Sequence, residues 1–245
     1  MIRRLFILVL LVILLFCLAA CNGGNETGDS NALLDSSDES TDSEPSEDSI
    51  DDVEDQSDFY GSKILVAYFS AEGNSDFAVD ADATTSATIN IIDDELVGNS
   101  RVIAQMAADI TGGDLFFIET VKRYPSSDNE IIAAAIAESS ADELPELASR
   151  VTSMSDYDVI VLVFPNWSNT MPLAVLSFLN EYDFSGKAIA PVCVFGGGGI
   201  GRSVSDVRSA CPDATVLDGL GIQGAQATSA EETVLNWLRE LGLIV

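Results

Sequence analysis

Five segments of the chain are apolar over the length of a strand, broken only by Lys63 at one start and Thr215: residues 63–69, 115–118, 159–164, 189–195 and 214–217. Each is rich in β-branched and aromatic side chains. Near-continuous apolar runs of this kind mark strands covered on both faces, as in a parallel sheet. Helical patterns lie between them. Over 100–110, Val102, Ile103, Met106, Ala107 and Ile110 fall on one stripe that stops at Gly112 and Gly113, which predicts a helix with a glycine end. Residues 171–182 and 231–241 repeat the pattern and 203–210 carries it more weakly. Residues 130–137 are helical too, with a break at Pro145 before a further helical stretch at 146–151. Strands alternating with helices predict an α/β fold, a doubly wound parallel sheet with helices on both faces.

The same pattern shows what stands outside that fold. Residues 24–60 carry 14 Asp and Glu, no Lys or Arg, many Ser and almost no large apolar residue before Phe59. Such a segment buries too little surface to offset chain entropy, and its like charges stretch it, so it is expected to be a disordered tether. Ahead of it, Arg3 and Arg4 precede an apolar run at 5–18, then Ala19, Ala20 and Cys21. A basic start, a short apolar core and small residues at its end make a secretory signal. The run falls short of the about 20 residues of a membrane span. The LAAC sequence at 18–21 resembles a bacterial lipobox. That implies a lipoprotein signal peptide at 1–20, a lipidated Cys21 followed by the tether to residue 60, and a globular domain at 61–245. The expected location is the outer face of the bacterial cell membrane, with the lipid as the only membrane contact.

Charge and composition narrow the chemistry. The 245 residues hold 40 Asp and Glu against 11 Lys and Arg, with no His, for a net charge of −29. Setting aside the 14 tether acids and the two signal arginines leaves 26 acids and nine bases, a net of −17 from Lys63 onward. Nucleic acid and acidic headgroups are repelled by such a surface. Without His there is no Ser-His-Asp triad, no Cys-His pair and no His-ligated metal; no metal site and no acid–base catalyst is evident. With Cys17 in the signal and Cys21 lipidated, Cys193 and Cys211 remain, either as two buried thiols or as a disulfide.

Ligands of open parallel sheets bind beyond the carboxyl ends of the strands, and three such ends carry unusual residues: 70–75, 165–172 and 196–202. The segments ILVAYFSAEGNS at 64–75, FPNWSNTMP at 164–172, YDFSGK at 182–187 and the glycine-rich stretch 197–202, in this order, resemble the flavodoxin family. They are similar to its first strand and hydroxyl-rich phosphate loop, its tryptophan loop beside the flavin, the segment that follows, and its third flavin loop. The resemblance spans 63–245. It implies a five-stranded sheet in the order 2-1-3-4-5, FMN as cofactor, and electron transfer or oxidoreductase activity with an unidentified redox partner.

One departure concerns the phosphate loop. In the family it runs directly into the first helix, whereas here residues 76–97 intervene. Within this insertion, 88–92 and 96–97 flank Asp93, Asp94 and Glu95, which predicts a β-hairpin ahead of a second GNS triplet at 98–100. Hydroxyls and backbone N–H groups at a helix N-terminus bind a phosphate without Lys or Arg. Ser70, with Ala71 beside it, is therefore expected to bind phosphate together with Asn99 and Ser100; Ser75 of the first triplet is the alternative.

Trp167 is expected against the isoalloxazine, an aromatic plate held at the end of a buried strand, in a loop with Pro165, Asn166, Ser168 and Asn169. The family often has a second Trp and a Gly where Ser168 and Asn169 stand. Phe195, Gly196, Gly197 and Gly198 are expected at the pyrimidine edge of the flavin, the glycines allowing close approach of backbone N–H groups. Phe195 occupies a position where the family often has His. Two other readings stay open. Gly196, Gly198 and Gly201 also fit G-x-G-x-x-G between a strand and a helix, with Asp218 about 20 residues on, as in a dinucleotide fingerprint. Against it, the motif falls at the fourth strand with little chain after it. The departures at Ser168, Asn169 and Phe195 motivate the other, a lipoprotein that keeps the fold and binds a different ligand or partner.

Overall fold

A computed structural model describes residues 59–77, 87–141 and 143–245. The signal, Cys21, nearly all of the tether and part of the insertion lie outside the described residues.

The three central apolar runs form strands whose alternate side chains enter two separate cores, while the runs at 115–118 and 214–217 form partly exposed edge strands. β1 (Ile64–Tyr68) is followed by a hairpin of β2 (Ile89–Ile92) and β3 (Glu95–Gly98), then by α1 (Asn99–Thr111) and β4 (Asp114–Phe117). Next come α2 (Asp128–Ala141), β5 (Val159–Pro165), α3 (Leu173–Glu181), β6 (Ala188–Phe195) and α4 (Ser203–Ala210). Two short strands, β7 (Thr215–Val216) and β8 (Leu220–Gln223), and the helix α5 (Glu231–Glu240) complete the domain. Leu65, Ala67, Ile160, Leu162 and Phe164 pack under Ile131 of α2, Phe178 of α3 and Val207 of α4. Their neighbours Val66, Val161, Val163 and Val192 pack under Ile103 and Ala107 of α1 and Val234 and Leu238 of α5. This is the two-faced burial that unbroken apolar runs predict.

The main sheet is parallel, in the order β4-β1-β5-β6, with β7 and β8 both beside β6. By position this is 2-1-3-4-5, with the fifth strand in two pieces. Pro191 supplies a reason for the break. The Ile189 carbonyl accepts from Leu217 N at 2.9 Å, so Ile189 turns its polar groups toward the fifth strand. Two residues on, Pro191 turns the same way and has no N–H to offer.

The hairpin turns through Asp93 and Asp94, both with positive φ (52° and 64°), the geometry that matches the twist of paired strands. Its second strand runs directly into α1. That helix ends where glycine was expected to end it: Gly112 has φ 69° and donates to Ala108 O at 2.8 Å. One sequence expectation fails. Residues 146–151 are not helical. Leu147 is buried, and the flanking backbone pairs instead with the segment after β4: Val121 N donates to Glu146 O and Ala148 N to Glu119 O, at 2.9 and 2.8 Å. Cys193 and Cys211 are both buried and free, which closes the choice left open by the sequence in favour of two thiols.

Candidate functional site

Beyond the carboxyl end of β1 the chain makes a single turn, Ala71–Asn74, in which Glu72 (ψ 129°) and Gly73 (φ 89°) leave helical angles. Asn74 stitches this loop to its surroundings. Its Nδ2 donates to Ser70 O (2.8 Å) and Ile118 O (3.1 Å), and its Oδ1 accepts from Thr120 N (2.8 Å). Arg123 clamps the loop from outside, donating to the carbonyls of Gly73 (3.0 Å) and Ser75 (2.8 Å). The loop is thus secured through carbonyls and one amide side chain. Its hydroxyls take no part.

The insertion hairpin delivers the start of α1 to this loop. Gly98 stands at the N-cap and supplies no side chain, and the buried Asn99 and Ser100 are the first helical residues. Asn99 is tied to the hairpin, donating from N to Thr88 O (3.0 Å) and from Nδ2 to Ile89 O (3.1 Å). Ser70 Oγ lies where a Cβ on Gly98 would be, so the two loops meet in contact at the helix start. The hydroxyls of Ser70, Ser75 and Ser100 are buried and have no hydrogen-bond partner among the described residues. A buried polar group left unpaired costs about 1–3 kcal/mol, so unpaired hydroxyls beside a helix N-terminus call for an explanation. A helix start also presents N–H groups without intrahelical partners and the positive end of its dipole. The chemistry of this donor set is that of an anion cradle.

Next to it lies a cavity of about 350 Å³ at the ends of β5 and β6. Asn166, Trp167, Ser168 and Asn169 form one wall; Phe195, Gly196, Gly197, Gly198 and Gly199 form the other. Ile132 of α2, with Ala87 and Thr88, closes it. Thr88 connects the two parts, since its carbonyl holds Asn99 N while its Oγ1 accepts from Trp167 Nε1 at 3.3 Å. A Cβ added to Gly197, Gly198 or Gly199 would meet nothing within 4 Å. Gly201 is different: with φ 56° it abuts the backbone and side chain of Asn169, whose carbonyl accepts from Arg202 N at 2.9 Å. Asn166 Nδ2 likewise donates to Gly199 O at 2.5 Å. The two loops are therefore fastened to each other at Gly199 and at Gly201–Arg202, with open glycines ahead of the fastenings. Among the described residues, none of the lining side chains is ionisable. Such a lining can bind and orient a ligand by shape and hydrogen bonds, and its described side chains supply no proton-transfer group.

The cavity brings together Asn166 through Asn169 and Phe195 through Gly198. Ser70, Asn99 and Ser100 gather separately around the helix start, while Ser75 lies further along the turn, beside Tyr124 and Arg123. Ala71 and Pro165 are buried and do not line the cavity. Trp167, the aromatic plate expected against the isoalloxazine, lines the cavity from a buried position. Its ring is 1 % exposed, because it packs edge-on against Phe69 (centroids 5.2 Å apart) and Tyr124 (5.0 Å) as well as donating to Thr88. It belongs to the core and to the cavity wall together. Beneath it, Tyr124 OH donates to Glu138 Oε2 at 3.2 Å, and burial raises the pKa of both groups. Ser168 and Asn169 keep positive φ (50° and 72°), a conformation that is unfavourable for Ser and more tolerable for Asn.

A family model described as flavodoxin matches residues 94–241, more than half of the chain. The chain belongs to the flavodoxin family. The match takes in the second GNS triplet and both cavity loops, while β1 and the first triplet lie ahead of it. Among solved structures, a candidate flavoprotein from Bacteroides eggerthii is 25% identical, with 74% of this chain and 98% of that one covered and a TM-score of 0.56. Another, from Bacteroides uniformis, is 26% identical over 73% and 99%, also with a TM-score of 0.56. No curated protein matches. The dinucleotide reading loses its acidic residue in this flavodoxin fold. Asp218 is almost fully exposed, 3.9 Å from Arg208, and takes no part in the cavity. The third glycine of that motif, Gly201, serves the loop-to-loop contact.

Sequence reasoning missed Ala87, Thr88 and Ile132 in the lining, and Asn74 and Arg123 as the residues that secure the first loop, while Gly199 lay within the stretch 197–202 read as a flavin loop. Asn74 stood in view within the first triplet. Nothing local pointed to Thr88 or Ile132, which reach the cavity from an insertion and from a helix remote in sequence.

Proposed function

We propose that this flavodoxin-family protein binds FMN and acts as a redox protein, its phosphate held at the start of α1 and its ring system in the glycine-edged cavity. The observation that carries the reading is the pair of buried, unpartnered hydroxyls of Ser70 and Ser100 at a helix N-terminus, joined through Thr88 to an uncharged cavity of the size that small ligands occupy. Ser70 and Ser100 would donate to phosphate oxygens, and the backbone at 196–199 would face the ring edge without side chains in the way. Trp167 would support the ring system from within the wall. Bound FMN would supply the redox chemistry by taking up one or two electrons.

Titration of the purified protein with FMN tests this. Flavin fluorescence should be quenched to saturation at one FMN per chain, and Ser70→Ala with Ser100→Ala should weaken FMN while leaving riboflavin, which has no phosphate, nearly unaffected. Absence of quenching at micromolar protein would instead favour a protein that keeps the fold for another ligand. We also propose export and lipid anchoring at the outer face of the cell membrane, on the strength of the LAAC sequence ending at Cys21. Cys21→Ala should release the protein from the membrane fraction; retention after a salt wash would refute the anchor.

A further inference from the structure

The anion cradle at the start of α1 already faces an anion of its own chain. Glu72 projects from the turn after β1 toward the helix start. Its Oε2 accepts the Gly98 N–H at 3.3 Å and its Oε1 accepts from Arg101 Nη1 at 2.7 Å. Its Cβ lies 3.3 Å from where a Cβ on Gly98 would be, beside the Ser70 side chain. The carboxylate therefore occupies an N–H at the cap of α1 and the cation nearest to it. Yet it completes the site poorly. Ser70 and Ser100 Oγ keep no partner with the carboxylate in this position. A monoanion with two oxygens reaches one edge of the cradle, while a tetrahedral group with three terminal oxygens has enough acceptors for both hydroxyls and the guanidinium. Glu72 has somewhere to go, because its side chain is 24% exposed and Arg101 is 53% exposed.

We propose that Glu72 is a displaceable internal ligand of this site. It holds the helix start in the free protein, and a phosphomonoester dianion binds by moving its carboxylate off the Gly98 N–H and taking over Arg101. The proposal rests on the FMN reading only for the identity of that phosphomonoester. Glu72 thereby sets the affinity of the site, holding it below what its hydroxyls and helix start would give.

The test compares the full chain with Glu72→Gln and Arg101→Gln, titrated with inorganic phosphate, FMN and riboflavin. Flavin binding is read by fluorescence, and phosphate binding by the amide resonances of Gly98 and Ser100. Removing a like charge from beside a dianion should tighten both phosphate and FMN by roughly tenfold. Riboflavin should be unchanged in Glu72→Gln, and Arg101→Gln should bind phosphate and FMN more weakly than the unaltered chain. Equal or weaker phosphate and FMN binding by Glu72→Gln overturns the proposal. If neither flavin binds any of the proteins, the FMN reading falls by itself. The phosphate arm then decides alone: tighter binding in Glu72→Gln sustains the internal ligand, and no gain or no binding overturns it. Should Glu72→Gln fail to fold, Glu72→Asp, which withdraws the carboxylate by one methylene, carries the same expectation at smaller size.

Discussion

Gly198 and Gly201 lie three positions apart in one loop and answer to different constraints. Open space surrounds Gly198, whereas Gly201 abuts Asn169 at φ 56°. Gly198→Ala should change stability by less than about 0.5 kcal/mol and still weaken FMN, because the new methyl group would stand at the open edge of the cavity. Gly201→Ala should lose about 1–3 kcal/mol through a strained backbone. Chemical denaturation and flavin titration of both variants check this, and equal stability losses would contradict it. Glu138 allows a pH test. Burial raises its carboxyl pKa, with the Tyr124 hydrogen bond opposing in part. A folded-state value above the unfolded one stabilises the fold fully below the ordinary carboxylate range, and this contribution is lost as pH rises through the raised value. Glu138→Gln should therefore gain on the unaltered protein between pH about 4 and 7; urea denaturation at both pH values that shows a constant difference would refute it. At this scale the site was legible where glycines and Trp167 end apolar strands. Trp167's burial was not, because Phe69 and Tyr124 come from distant parts of the chain.

Elements were read correctly where burial is two-sided, since an unbroken run such as 159–164 records both faces at once. β8 escaped notice because only Ile222 among its four residues is buried. The stretch 146–151 looked helical by local composition, but its backbone partners lie at 119–121, a pairing no local window contains. The hairpin was legible from its charged turn, and that turn can be improved. Asp93 and Asp94 both adopt positive φ, where Gly fits without strain and acidic neighbours repel. Asp94→Gly should raise the hairpin's stability by up to about 1 kcal/mol. Hydrogen exchange at the β2 and β3 amides is the measurement, and faster exchange in the variant would count against the argument.

For the molecule as a whole, the acidic excess governs how it meets an anionic ligand. A net of −17 from Lys63 onward opposes the approach of a phosphate dianion, and salt shortens the reach of that repulsion to about 10 Å at 0.1 M. FMN affinity should accordingly rise between 10 and 200 mM salt, and a titration series in which it falls would show that local cations dominate instead. The divided fifth strand has a separate consequence. An exposed strand edge invites the backbone of another chain to extend the sheet, and long flat edges invite it most. Here one rim is a four-residue strand and the other is split into pieces of two and four residues. An incoming chain finds only a few consecutive bonding positions before the rim breaks off. By withholding one N–H from the middle of its neighbour, Pro191 leaves the sheet with no long margin on which a fibre could begin.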